Sequence, residues 1–139
     1  MSGYLIDTNV VSELTKAAPD PGVIAFLSEQ DDLWLASVVL HELEFGLRSL
    51  PQGRRRDDLQ QVLSDFIAEF EDRILPLERS EAVWAARLRA EAHLAGRVLH
   101  LGDALIAGTA RAHELSVATR NIRDFDGLDV NVINPWQTP

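Results

Sequence analysis

Short apolar runs and longer 3–4 periodic segments take turns along this chain, and that alternation restricts the fold more than any other feature. "GYLID" at 3–7, "LWLAS" at 33–37, "LSVAT" at 115–119 and "VNVI" at 130–133 read as strands, and "ILPL" at 74–77 as a short strand or extended link. Between them, residues 9–16 suit one or two helical turns, and Asp20 followed by Pro21 is a strong helix start. Ser37 is placed to cap a helix over 38–50. "LPQGRRR" reads as a solvated loop, and apolar residues at 59, 62, 63, 66, 67 and 70 keep a helical rhythm. Segments 80–95, ended by Gly96, and 101–114 complete the helices. Strands alternating with helices imply βαβ units and an α/β fold with a mainly parallel central sheet. In such sheets ligands gather beyond the carboxyl ends of the strands.

The first strand ends there on a carboxylate, Asp7, followed by Thr8 and Asn9. Such an Asp is commonly a helix cap, and Thr8 and Asn9 can serve as caps or orient Asp7. Three other places repeat the anomaly. In "SVVLHELEFGLRSL", Val39, Leu40, Leu43, Gly46, Leu47 and Leu50 share one arc, while His41, Glu44 and Arg48 share the opposite one. Glu42 belongs to neither: it flanks the apolar stripe, with Gly46 one turn away leaving room beside it. A boundary Glu that reaches to water is the alternative. In "LGDALIAGTARA", Asp103 lines up with Ile106, Ala107 and Ala110 on a small-residue face. An ionised Asp is rare there unless paired or metal-bound, although the first turn of a helix favours an anion. In "VATRNIRDF", an apolar strand ends at Thr119, and Asn121 and Asp124 follow, which is also the pattern of an Asx turn.

Composition narrows the chemistry. The 139 residues suit one domain over 1–139 with a single core. With no cysteine there is no disulfide, thiolate site or cysteine nucleophile. The net charge of -9 is poor for unaided nucleic-acid binding, so a phosphodiester substrate would need a cation to offset repulsion. No basic n-region with a long apolar stretch suggests a signal peptide, and no run reaches membrane-spanning length, so a cytoplasmic protein is expected. The four histidines form no ligand pattern, and Trp34, Trp84 and Trp136 read as core or interface residues. Acids at two strand ends and two helix positions repel one another unless cations sit between them. Oxygen donors of this kind suit Mg²⁺ or Mn²⁺ and not zinc, and metal-assisted hydrolysis at phosphorus is the chemistry that uses them. A haloacid-dehalogenase-type phosphatase would need a second Asp where Asn9 stands, and the acidic pair of a receiver domain is not clear.

The order of these pieces resembles the PIN-domain ribonucleases, and among them the VapC toxins of the FitB-like group. "LIDTNVVSEL" with Asp7, "SVVLHELEFGL" with Glu42, "LGDALIAGTA" with Asp103 and "VATRNIRDF" with Thr119, Asn121 and Asp124 carry the likeness across the chain. The resemblance implies a three-layer α/β/α sandwich and a Mg²⁺-dependent endoribonuclease, with Asp7, Glu42, Asp103 and Asp124 as catalytic and metal-binding acids. Thr8, Asn9, Thr119 and Asn121 would order the site or hold substrate. Many PIN domains carry an Asp two residues after the Thr; Asn121 stands there, as is common among the toxins, so Asp124 becomes the fourth acid. The family also implies a homodimer, a VapB-type antitoxin and contact with operator DNA only through that antitoxin. The competing expectation is a catalytically silent PIN-like module that acts by binding partners.

Overall fold

The computed structural model describes residues 3–136; the remaining ends of the expected 1–139 domain lie outside the described residues. Strands β1 (Tyr4–Ile6), β2 (Leu33–Ala36), β3 (Ile74–Leu75), β4 (Ser116–Ala118) and β5 (Val132–Ile133) form one sheet in the order β3-β2-β1-β4-β5. Every pairing is parallel. Parallel neighbours need crossovers, and helices supply most of them: α1 (Thr8–Glu13) and α2 (Pro21–Glu29), α3 (Ser37–Arg48) and α4 (Arg54–Ala68), then α5 (Arg79–Leu94) and α6 (Leu101–Ala112). Leu5, Ile6, Leu35, Val117 and Ala118 are fully buried or nearly so, which is why these strands read as apolar runs without alternation.

The strand order makes one place special. From β1 the chain moves outward through β2 to β3, then returns to the other side of β1 as β4. The direction of winding reverses between β1 and β4, and the crevice beyond their carboxyl ends is where parallel sheets take ligands. Asp7 follows β1, and Thr119 follows β4.

Local signals account for most boundaries. Asp20 caps α2 by accepting from the N–H of Gly22 (2.9 Å) and Val23 (3.2 Å), with Pro21 at the first position. The expected cap at Ser37 is corrected: Ala36 caps α3, no side chain bonds the free amides, and Ser37 is already helical. "GRRR" is also not a loop. Gly53, at φ 152°, precedes a helix that begins at Arg54 and so includes all three arginines. Asp57 in the first turn complements the dipole there.

Helix α6 buries its middle: Ala104, Ile106, Ala107, Gly108, Thr109 and Ala110 are buried, and the Thr109 hydroxyl donates back to the Leu105 carbonyl at 2.7 Å. Small residues let α5 approach closely. A Cβ on Gly108 would stand 2.4 Å from the Ala85 backbone nitrogen and 2.7 Å from its Cα. Gly108→Ala is therefore expected to destabilise by roughly 3 kcal/mol or more, since backbone must move. Gly46→Ala, at an exposed position of α3 with nothing within 4 Å of the added carbon, should stabilise by about 0.5–1 kcal/mol. Urea unfolding of both variants checks the pair.

Candidate active site

Asp7 is only 5% exposed. Its N–H closes the β1–β4 ladder on the Ala118 carbonyl at 2.9 Å, which fixes where its side chain begins. Oδ1 accepts from the Thr8 N–H at 2.7 Å, so the helix-cap reading holds as far as it goes. Oδ2 accepts from the Thr119 hydroxyl, also at 2.7 Å, and more distantly from Asn9 Nδ2 at 3.5 Å. Thr119 Oγ1 in turn accepts from Asn9 Nδ2 (3.2 Å) and the Asn121 N–H (3.1 Å). Asn9 Oδ1 takes the Arg120 N–H at 3.3 Å. A plain cap needs only the first of these bonds. The others form a network joining two strand ends 112 residues apart in sequence.

Glu42 reaches the same place from α3: the Thr8 hydroxyl donates to its Oε1 at 2.6 Å. His41 and Glu44 point to solvent, as the helical wheel required. The room beside Glu42, however, is at a different glycine. A Cβ on Gly102 would come within 3.0 Å of Glu42 Oε2, whereas Gly46 faces open space. Asp103, in the first turn of α6, is half-buried and completes a group of three with Asp7 and Glu42 around one open cavity of about 410 Å³. Asp124 does not line that cavity. It sits exposed in a 3₁₀ turn over Ile122–Phe125, close enough for its charge to act on Asp103.

The charges oppose each other. Burial raises the Asp7 carboxyl from 3.8 to about 6, against the lowering effect of the Thr119 and Thr8 bonds, and Asp103 and Glu42 add repulsion. Burial likewise pushes Asp103 up, with Asp124 and Glu42 raising it further and His100 opposing. Among the described residues, no cationic side chain forms an ion pair with any of the three acids. A hard divalent cation fits this all-oxygen donor set. Among the described residues no three His, Cys, Asp or Glu side chains stand close enough to enclose an ion. Mg²⁺ accepts such a site, since it keeps several waters and takes one or two carboxylates.

The cavity wall includes residues the sequence reading did not single out: Ser12, Glu13, Lys16 and Arg120; Trp136 is there as well. Glu13 is buried, with Oε2 accepting the Asp20 N–H at 2.9 Å and Oε1 paired to Lys16 Nζ at 2.9 Å. The Lys16 and Asp20 bonds hold its carboxyl below the ordinary value. Asn9, Ser12, Glu13 and Lys16 recur at 3–4 spacing opposite Val10, Val11 and Leu14, a polar stripe that could have been read directly. A roomier hollow of about 610 Å³ lies against the 3₁₀ turn and β5, but among the described residues lining it only Asp126 is ionisable.

Three acids and their hydroxyl and amide supports, gathered at the switch point of a parallel sheet, define an α/β protein with an acidic pocket at the carboxyl ends of its strands. The chain belongs to the PIN domain family, which matches residues 4–131. It is 38% identical over 136 residues to the VapC ribonuclease Y4jK of Sinorhizobium fredii, covering 96% of this chain and 97% of that one. It is 36% identical over 135 residues to Toxin FitB of Neisseria gonorrhoeae, covering 95% and 97%. The solved structure of FitAB bound to the IR36 DNA fragment superposes with a TM-score of 0.89 at 33% identity, covering 98% of this chain and 97% of that one. Among the described residues, five parallel strands and six α-helices make the PIN fold, as the motifs implied.

The Asp7 shift has a measurable consequence. A carboxyl whose folded value is raised to about 6 lowers stability above that pH, and the loss is relieved as pH falls from about 6 toward 3.8. In chelator, Asp7→Asn is expected to exceed wild type in unfolding free energy by up to about 3 kcal/mol near neutral pH. That gap should close toward about pH 4. Denaturant titrations across this range check it; a gap independent of pH contradicts the burial of an ionised Asp7.

Proposed function

We propose that this protein is a metal-dependent endoribonuclease and the toxin of a toxin–antitoxin pair. The observation that carries the reading is the convergence of Asp7, Glu42 and Asp103, from β1, α3 and α6, on one cavity without an ion-paired cation among the described residues. The full-length similarity to a protein named a ribonuclease and to one named a toxin supports it. A silent binding module would gain nothing from Asp7 and Asp103, whose carboxyls are pushed up first by burial and then by neighbouring acids, at a cost in stability.

Asp7 and Asp103 would hold a Mg²⁺ or Mn²⁺ ion, with Glu42 beside them directly or through water. When bound, the cation makes water more acidic and offsets charge on the phosphate. Thr119 and Thr8 hold the Asp7 carboxylate in one orientation, so it need not reorganise when substrate arrives. Thr8 also fixes Glu42 Oε1, leaving Oε2 to accept the proton of the attacking water. The water oxygen bonds to phosphorus, the bond to the leaving ribose oxygen breaks, that oxygen takes up a proton from solvent, and Glu42 returns its proton to solvent. Asn9 and Asn121 brace Thr119 behind the acids, one by its amide side chain and the other by its backbone N–H. Asp124 acts at a distance, as a charge near Asp103.

The partner reading follows the same electrostatics. A small antitoxin would silence the site by offering an Arg to the paired carboxylates, and its own basic part would bind operator DNA, a task for which a chain of net charge -9 is poorly built. The similarity to FitAB, solved with DNA, supports this. We also propose that the toxin pairs with a second copy of itself. Among the described residues, no helix is long and apolar enough to cross a membrane.

Asp7→Asn, Asp103→Asn and Glu42→Gln are each expected to lower cleavage of single-stranded RNA in Mg²⁺ by at least about 100-fold, the scale of a lost acid–base or metal-holding group. Glu44→Gln and His41→Ala, on the solvent side of the same helix as Glu42, should stay within about 2-fold of wild type. Equal losses at positions 42 and 44 would sink the assignment. Mg²⁺ should also raise the melting temperature of wild type but not of Asp103→Asn, a readout that needs no substrate.

A further inference from the structure

The acidic pocket must still attract a polyanion, and the structure shows which side chains face that task. Among the described residues lining the cavity, only Lys16 and Arg120 are cationic. Lys16 is neutralised by Glu13 at 2.9 Å. Arg120 is exposed and forms no ion pair among the described residues. Its position is nevertheless fixed at both ends. Its N–H donates to Asn9 Oδ1 at 3.3 Å, in the network that holds Asp7. Its guanidinium carbon lies 5.2 Å from the centre of the Trp136 ring, and Trp136 is half-buried on the same cavity wall.

We propose that Arg120 is the phosphate clamp of this nuclease, and that Trp136 is the residue that positions it. A guanidinium held against an indole keeps its in-plane N–H donors for a bidentate grip on phosphate, and the contact is strongest where water is partly excluded. The backbone of Arg120 directly follows Thr119, which bonds the Asp7 carboxylate. The clamp therefore stands in fixed register with the acids and grips a phosphate next to the one being cut. That division answers the charge problem: the acids, with a cation they would hold, would take the scissile phosphate, and one arginine lying over an indole holds the strand. The exposed arginines 54 and 55 do not line the cavity.

This inference rests on the nuclease reading, and its test separates the two. Binding of a short fluorescent single-stranded RNA is measured by anisotropy on the Asp103→Asn protein in chelator, over a series of KCl concentrations. Adding Arg120→Ala should weaken binding by at least about 10-fold and reduce the salt slope by about one counterion. Arg120→Lys should recover the slope but only part of the affinity, because the fork is lost. Trp136→Ala should weaken binding about 3–10-fold with the slope kept, while Trp136→Phe falls between it and the parent. In otherwise wild-type protein with Mg²⁺, Arg120→Ala should raise KM with kcat within about 3-fold. Circular dichroism confirms that each variant folds. Cleavage by wild type together with unchanged binding and slope in Arg120→Ala overturns the clamp alone. Clamp-dependent binding without cleavage by wild type overturns the nuclease reading alone. Absence of both binding and cleavage in wild type overturns both.

Discussion

The bond from the Thr119 hydroxyl to the buried carboxylate of Asp7, 2.7 Å long, is the contact on which the site is built. It spans the ends of β1 and β4, the two strands between which the sheet reverses its direction of winding. A carboxylate this buried would be costly alone. Two short hydrogen bonds reduce that cost without removing it, since the carboxyl still titrates near 6. The fold thus holds a carboxylate that is hydrogen-bonded on both oxygens yet, among the described residues, has no cationic partner. A plain turn has no use for that cost, which is why the network reads as a site.

How the two other acids are held follows from packing. Asp103 rides on α6, a helix buried through its middle and pressed against the α5 backbone at Gly108. Such a helix cannot slide without opening the core, so its first turn is a rigid mount. Glu42 rides on α3, which buries Val39, Leu43 and Leu47 on one face. Its carboxylate lies against Gly102, the residue before Asp103, where any side chain would crowd Oε2 at 3.0 Å. The two acids are thereby held near each other by an absent side chain.

Much of this was legible in the sequence, and the parts that were not share a cause. Periodicity is a local property, so it found the strands, the helices and the acids whose character clashed with their own stripe: Asp7 at an apolar strand end, Glu42 beside a Leu face, Asp103 among alanines. It could not tell which glycine made room for Glu42. Gly46 is one turn away along the same helix, while Gly102 is 60 residues distant and meets it only in the folded chain. The start of α4 was misplaced for a different reason. Three consecutive arginines look like loop composition, yet Gly53 ends the loop and Asp57 favours a helix start. Trp136 read as core or interface because an indole alone is ambiguous; its stacking against Arg120 depends on where the last strand delivers it.

Asp124 shows the limit of reading charge by type. An acid in the right motif was expected inside the site, but a 3₁₀ turn over Ile122–Phe125 buries Phe125 and leaves Asp124 exposed. The turn is placed by its apolar member: Phe125 is 2% exposed, and burying such a ring is worth about 2–3 kcal/mol, far more than the position of a solvated carboxylate. What remains of Asp124 at the site is its field, which raises Asp103 along with burial and Glu42. A negative charge that touches no cavity wall can still strengthen the demand for a cation at Asp103. In this chain Asn121 occupies the cavity wall, while Asp124 stands off it and acts on Asp103 through its charge.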